Sequence, residues 1–176
     1  MLIGKSLFFK PTRDEWGEKR LVRVLFVCLG NICRSPMAEA IFRDLVKKEQ
    51  LVDSVQVDSC GTGDWHLGQS PHPGTKEILD QQGISYDGME SRLLTADDFN
   101  QFDYLVAMDQ NNYNTLIGSN HHEGTAIVKL MEFVEDIEED DIPDPYYTGD
   151  FGQTYRLVSD GCYGLLQFLK EKHHLN

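Results

Sequence analysis

Residues 22–40 constrain the fold more than any other part of the chain. They open with a run of β-branched and aromatic residues, 22–27, which is typical of a buried strand. The run stops at Cys28, and a short glycine-containing loop leads to Ser35 and Pro36, which predict a helix with Ser35 as its N-cap. Loop amides and the positive end of the helix dipole converge in such a unit, so the sequence predicts an anion-binding loop.

The spacing of a thiol and a guanidinium in this loop indicates its chemistry. Cys28 and Arg34 form a Cys-x5-Arg pattern, and the chain lacks the Gly-x4-Gly-Lys-Ser/Thr pattern of nucleotide-binding loops. A thiolate beneath an oxyanion that a bidentate arginine holds is suited to covalent phosphoryl transfer. We therefore predict Cys28 as nucleophile, Arg34 as phosphate clamp and the Ser35 hydroxyl as a donor that favours the thiolate.

The four apolar runs that read as strands alternate with helical patterns. We predict strands at 22–27, 55–57, 104–108 and 125–130, and helices at 36–48, at 75–82 and from about residue 150. This alternation predicts a single α/β domain in which helices cover both faces of a four-stranded parallel sheet. Ligands bind beyond the carboxyl ends of such strands, where we place Cys28, Asp58, Asp109 and the loop that carries Asp144.

Length and charge narrow the function classes. The chain has 176 residues, and we divide it into an N-terminal extension, residues 1–20, and one domain, residues 21–176. Its formal net charge of −13 argues against nucleic acid or an anionic membrane as a partner. Its four cysteines have neither zinc spacing nor the density of a disulfide framework, and the first residues do not form a signal peptide. We expect a cytoplasmic monomer.

Phosphoryl transfer to a thiol also requires a proton for the leaving group. Asp144 lies between Pro143 and Pro145, which fix its backbone, in the loop that follows the fourth strand. We predict Asp144 as the general acid. The alternatives are the acids that precede it, which are typical of a solvated surface: Glu135, Asp136, Glu138, Glu139, Asp140 and Asp141.

Two segments resemble the low-molecular-weight protein tyrosine phosphatases. These are residues 27–39, VCLGNICRSPMAE, and residues 144–147, DPYY; the similarity also includes 57–59, 64–68 and 102–109 and covers about 21–174. The resemblance implies a hydrolase with Cys28 as nucleophile, Arg34 as clamp and Asp144 as general acid and then base, and it implies no metal or other cofactor. It also implies supporting roles for Asn31, Ser35, Ser59 and Asp109 around a phosphate loop formed by Leu29, Gly30, Asn31, Ile32, Cys33 and Ser35.

The resemblance further implies a phosphotyrosine protein or peptide as substrate and inorganic phosphate as product. In this family Ile before the second loop cysteine is typical of tyrosine phosphatases and Thr of arginine phosphatases, and here the residue is Ile32. Trp65, Tyr146 and Tyr147 would add rings around a phenyl group, although ordinary loop packing would also account for them. We interpret His66 as a loop hydrogen-bonding residue.

Three other functions remain as alternatives. These are a protein arginine phosphatase, a phosphopeptide-binding module without turnover, and a thiol-dependent arsenate reductase. The last needs two neighbouring downstream cysteines, whereas Cys60 and Cys162 are far apart in this chain. Cys33 is close enough in sequence to Cys28 for a reversible disulfide, although a small buried loop residue is the simpler interpretation.

One segment departs from the family pattern. Residues 72–74 read His-Pro-Gly where the family usually has Asp-Pro-Arg. A capping carboxylate and an arginine are thereby lost, so we expect the loop that carries Trp65 to be anchored differently or to be more mobile.

Overall fold

A central strand, β1, organises the sheet of the computed structural model, which describes residues 21–119 and 124–176. The strand is apolar on both faces because helices cover both sides of the sheet. Strand β1 (Val22–Cys28) lies between β2 (Val55–Gly61) and β3 (Tyr104–Ala107), and β4 (Ala126–Lys129) completes the order β2-β1-β3-β4 with all pairs parallel. The predicted four-stranded parallel α/β fold is confirmed. The predicted extension, residues 1–20, lies outside the described residues.

The elements follow one another with short connections. The strands are β1 Val22–Cys28, β2 Val55–Gly61, β3 Tyr104–Ala107 and β4 Ala126–Lys129. The helices are α1 Arg34–Lys48, α2 Pro73–Gln81, α3 Asp98–Gln101, α4 Gln110–Gly118, α5 Pro145–Thr148 and α6 Phe151–His173, with a 3-10 turn at Leu130–Phe133. No helix in residues 21–119 and 124–176 is both long and apolar enough to span a bilayer.

Alternate residues of β1 enter two separate cores. Val24 and Phe26 pack in the larger core with α1, α2 and α6, and Leu25 and Val27 pack in the smaller one with α3 and α4. The apolar face of α6 lies wholly in the larger core: Val158, Cys162, Leu165 and Leu169. With both faces covered, the carboxyl edge of the sheet is left for the anion loop.

Strand β2 corrects one prediction about that edge. The strand runs to Gly61, and Asp58 pairs with Leu25 in the middle of the ladder rather than following the strand. Its carboxylate binds Arg92 at 2.8–3.0 Å and does not line the cavity beside Cys28. Polar residues are tolerated in this edge strand because the Asp58 side chain bonds to Arg92 and the Ser59 side chain bonds to Glu39.

The starts of two helices also differ from the prediction. Helix α1 begins at Arg34 with Cys33 at the N-cap position, and Ser35 does not cap it. The Ser35 hydroxyl lies instead at 3.0 Å from the Cys28 sulfur. The side chain that we expected to cap α1 therefore contacts the predicted nucleophile. Helix α2 begins at Pro73, two residues before the predicted start, because the His72 ring accepts a bond from the Gly74 amide.

Candidate active site

The loop after β1 is held through its carbonyl oxygens. The carbonyls of residues 28 and 29 accept from the Thr62 and Gly63 amides, respectively, and that of residue 30 accepts from the Ser91 hydroxyl. The carbonyl of residue 32 accepts from the His72 amide, and that of residue 33 accepts from the Met37 amide and the Thr75 hydroxyl. Asn31 adopts a left-handed φ of +53°, which turns the chain sharply inside the loop. No hydrogen bond donated by the backbone amides of residues 29–33 is found among the described residues, so these amides remain for an anion.

Cys28 lies at the floor of a cavity of about 320 Å³. The cavity brings together the predicted nucleophile, the predicted acid, most of the predicted phosphate loop and the predicted aromatic residues. Its lining residues are Cys28, Leu29, Gly30, Ile32, Cys33, Trp65, His66, Asp144, Tyr146 and Tyr147. Asp144 is the one carboxylate among these lining residues, so none of the alternative acids from Glu135 to Asp141 shares this cavity.

A buried chain of hydrogen bonds orients the Asn31 side chain. The Asn31 Oδ1 accepts from the backbone amide of Arg92 at 2.9 Å, which places its Nδ2 toward the anion loop. Nδ2 donates to Ser35 and to Ser59, each at 2.9 Å. Ser59 in turn donates to Glu39 at 2.6 Å, since its oxygen already accepts from Asn31.

These hydrogen bonds allow the Ser35 hydroxyl to donate to the Cys28 sulfur. The Ser35 oxygen accepts from Asn31, so its O–H can point to the sulfur at 3.0 Å or to the Cys60 carbonyl at 3.3 Å. A hydroxyl donor at that distance stabilises a thiolate over a thiol. Sequence reasoning missed Ser91, Arg92 and Glu39 as parts of this support, because their roles arise from contacts between distant segments.

Three of the four cysteines are held as neutral thiols. Burial raises the pKa of Cys33 to about 12. Cys28 and Asp144 add to this effect, and Arg34 opposes it. Burial also raises the pKa values of Cys60 and Cys162 above the ordinary range. None of these three is therefore suited to act as a thiolate nucleophile at neutral pH.

Arg34 is 2% exposed, and acidic groups hold it from two sides. Its Nη1 donates to Asp109 at 2.6 Å and to the Ile142 carbonyl at 3.1 Å, and its Nη2 donates to Asp144 at 2.8 Å. Burial alone would lower the pKa of Arg34, but Cys28, Asp144 and Asp109 outweigh it and raise the pKa above the ordinary value. The guanidinium therefore remains charged.

The Nε group of Arg34 remains for an anion. Its Nε is buried and has no hydrogen-bond partner among the described residues. Nε and Nη2 lie on the same edge of the guanidinium and match two oxygens of a phosphate. Asp144 holds Nη2 in this structure, and Asp109 holds Nη1. A buried donor without a partner is costly, so an oxyanion at this edge would satisfy it.

Asp144 is positioned by the short helix that it caps. Its Oδ1 accepts from the Tyr146 amide at 3.1 Å, and Pro145 occupies the first helical position. Its Oδ2 faces Arg34. Among the alternative acids, Asp141 binds Lys129 and Glu139 binds Arg156, which is consistent with a solvated surface.

The aromatic residues form an exposed rim above the loop. Trp65, Tyr146 and Tyr147 are 67%, 54% and 75% exposed. The Tyr146 ring contacts the rings of Tyr147 and His66 at centroid distances of 5.4 and 5.9 Å. His66 also lies 3.2 Å from Gln69, which agrees with its interpretation as a loop hydrogen-bonding residue.

Buried Glu39 makes stability depend on pH. Burial raises the pKa of Glu39, and the nearby charge of Asp58 adds to this effect. Hydrogen bonds from Ser59 and Arg43 oppose it but do not cancel it. An acid whose pKa is raised on folding favours the fold at low pH and loses that contribution as pH rises through the folded-state pKa. We expect E39Q, which keeps an acceptor for Ser59, to melt about 2–4 °C above the wild type at pH 8. The difference in Tm between E39Q and the wild type should disappear near pH 4. A difference that does not depend on pH would contradict a raised pKa for Glu39.

A parallel α/β sheet whose first strand ends in a buried Cys-x5-Arg loop is typical of cysteine-dependent phosphatases. The family model described as low molecular weight phosphotyrosine protein phosphatase matches residues 23–175. The chain belongs to this family. Membership confirms the resemblance and the predicted enzyme class, a phosphoric monoester hydrolase.

Individual relatives agree with the family assignment. The chain is 48% identical to the low molecular weight protein-tyrosine-phosphatase YfkJ of Bacillus subtilis over 88% of this chain and all of the relative. The crystal structure of YfkJ superposes with a TM-score of 0.83, covering 89% of this chain and 99% of that one. PtpA of Staphylococcus aureus is 46% identical over 88% of this chain and 98% of the relative. The crystal structure of a Drosophila arginine phosphatase, DARP, is 37% identical with a TM-score of 0.77, covering 84% and 97%.

Proposed function

We propose that the chain hydrolyses phosphotyrosine monoesters through a phosphocysteine intermediate. The observation that carries the proposal is one cavity lined by Cys28 and Asp144, with buried Arg34, whose Nε has no partner among the described residues, bonded to Asp144. A sulfur nucleophile, a charged clamp and a removable proton are the three groups that this two-step reaction needs.

In the first step the Cys28 thiolate attacks phosphorus and the bond to the phenolic oxygen breaks. The Nε–Nη2 edge of Arg34 and the loop amides hold the phosphoryl oxygens. Because a bound phosphate competes with Asp144 for Nη2, it releases that carboxyl from its ion pair. Protonated Asp144 then gives its proton to the leaving phenolate.

In the second step a water attacks the phosphocysteine. Asp144, now a carboxylate, takes a proton from that water as the sulfur–phosphorus bond breaks. The Ser35 hydroxyl, at 3.0 Å, donates to the departing thiolate, and inorganic phosphate is the product. Asn31, Ser59 and Asp109 serve as positioning residues, since they orient Ser35 and Arg34.

The tyrosine preference rests on the apolar side of the cavity. Ile32 and the rings of Trp65, Tyr146 and Tyr147 would pack against a phenyl group rather than pair with a guanidinium. The second candidate is a protein arginine phosphatase, which the likeness to DARP favours. An arsenate reductase has less support, because Cys60 and Cys162 are both fully buried in separate elements.

Release of inorganic phosphate from matched phosphotyrosine and phosphoarginine peptides tests the proposal. We expect a larger kcat/KM for the phosphotyrosine peptide. A larger value for phosphoarginine would favour the second candidate, and tight peptide binding without phosphate release would favour a binding module.

The I32T variant should move this preference. Its hydroxyl gives a guanidinium a polar partner and removes part of the apolar wall, so we expect the phosphotyrosine-to-phosphoarginine ratio of kcat/KM to fall about tenfold. The control is I32V, which keeps an apolar wall and should change the ratio little. A ratio that is equal in I32T and wild type would contradict the role of Ile32.

We further propose that the domain, residues 21–176, acts as a cytoplasmic monomer. The strongly acidic composition and the four cysteines without disulfide or zinc spacing support this proposal. Light scattering of the purified full chain tests the monomer: a mass near 20.1 kDa is expected, and a doubled mass would contradict it.

A further inference from the structure

The segment that departs from the family pattern has its own anchor in this chain. The His72 amide donates to the Ile32 carbonyl at 2.7 Å, which ties the segment to the anion loop. The His72 ring caps α2, with Nδ1 accepting from the Gly74 amide at 3.1 Å. The position of the imidazole is thus set from its own backbone and from the helix.

The His72 ring lies between two other aromatic rings. It stacks on Phe151, the first residue of α6, at a centroid distance of 5.0 Å and an angle of 15°. The edge-to-face neighbour on the cavity side is Tyr146, at 6.2 Å and 76°. A row of rings therefore connects the start of α6 to the rim of the active site.

Gly74 is required for this row. A Cβ at position 74 would lie 2.6 Å from Cδ2 and Cε2 of Phe151, so only glycine lets that ring lie flat against the turn. His72, Gly74 and Phe151 consequently form one interdependent unit in place of the lost carboxylate and arginine.

We propose that His72 is a positioning residue for substrate specificity, which holds the Tyr146 ring as the wall for the substrate's phenyl group. Tyr146 is 54% exposed, and its ring neighbours besides His72 are Tyr147 and His66, at centroid distances of 5.4 and 5.9 Å. Tyr147 is itself 75% exposed, so His72, which α2 and Phe151 hold in place, is the firmer support for the ring. The inference rests on the proposed function in one respect, namely that an aryl group binds beside Tyr146. It predicts an effect on aryl binding and none on phosphate binding, because the side-chain partners found for His72 are Gly74, Phe151 and Tyr146 and include neither Cys28 nor Arg34.

Two substitutions at position 72 separate the ring from the cap. H72N keeps an acceptor for the Gly74 amide but removes the ring. We expect its KM for a phosphotyrosine peptide to rise about three- to tenfold, with kcat and inhibition by inorganic phosphate unchanged. H72F keeps the ring but loses the acceptor, so its KM should stay near the wild-type value while Tm falls by about 2–4 °C.

The controls test whether the effect passes through Tyr146. H174N changes an exposed histidine near the end of the chain and should leave KM unchanged. In a Y146L background H72N should raise KM no further, since the coupled ring is absent. G74A, which displaces Phe151, should raise KM as H72N does.

Three results would overturn the inference: an unchanged KM in H72N, an equal rise in the inhibition constant of phosphate, or full additivity with Y146L. If the wild type does not hydrolyse phosphotyrosine, the proposed function fails, but the ring contact is still measurable. The NMR ring resonances of Tyr146 should then shift in H72N and not in H174N, and their invariance in H72N would refute the contact itself.

Discussion

The C28S variant is expected to lose at least about 10⁴-fold in kcat for phosphotyrosine peptides and for p-nitrophenyl phosphate. A serine hydroxyl has a far higher pKa than a thiol, and the neighbouring Ser35 is placed to donate a proton rather than to remove one. Arg34 and the loop amides remain, so the variant should still bind the phosphopeptide. Initial rates and equilibrium binding, measured on the same preparation, separate the two effects.

A matched cysteine provides the control for this prediction. Cys162 is buried in α6, with its sulfur 3.7 Å from the Ala38 carbonyl, and has no contact with the anion loop. C162A should lower Tm but keep kcat within about twofold of the wild type. Substantial turnover by C28S, or an equal loss in C162A, would remove Cys28 from the mechanism.

Local sequence predicted the first strand and the anion loop well because their signals lie within a few residues of one another. The apolar run of β1, the glycine in the loop and the Ser35-Pro36 pair together define a strand–loop–helix unit. The start of α1 was wrong by two residues, since the Ser35 side chain has two possible uses. Only the position of Cys28 in space decides between the cap and the sulfur.

The support of the site could not be predicted in the same way. Asp109, Ile142 and Asp144 reach Arg34 across 75–110 positions of sequence, and Arg92 reaches Asn31 across 61. These contacts depend on the parallel crossovers that place successive loops at one sheet edge. The same reason explains why the pattern at residues 72–74 indicated a lost anchor but not the rings that replace it.

Asp144 is the residue for which leaving-group chemistry gives the sharpest test. D144N keeps an oxygen that can accept from the Tyr146 amide, so α5 should remain intact. For phenyl phosphate, whose leaving group needs a proton, kcat should fall about 10²–10⁴-fold. For p-nitrophenyl phosphate, whose anion leaves without help, the first step should slow far less, and a burst of nitrophenol should precede slow hydrolysis of the phosphocysteine.

The neighbouring acid Asp141 is the natural control, because it belongs to the acidic run and pairs with Lys129 at 3.1 Å outside the cavity. D141N should behave as wild type with both substrates. The slope of log kcat/KM, which reports the first step, against leaving-group pKa should therefore be steep only in D144N, since only there is the phenolate expelled unprotonated. Equal losses of kcat/KM for both leaving groups in D144N would mean that the carboxyl acts on Arg34 alone. A steep slope in D141N would mean that the general acid lies in the run between Glu135 and Asp141.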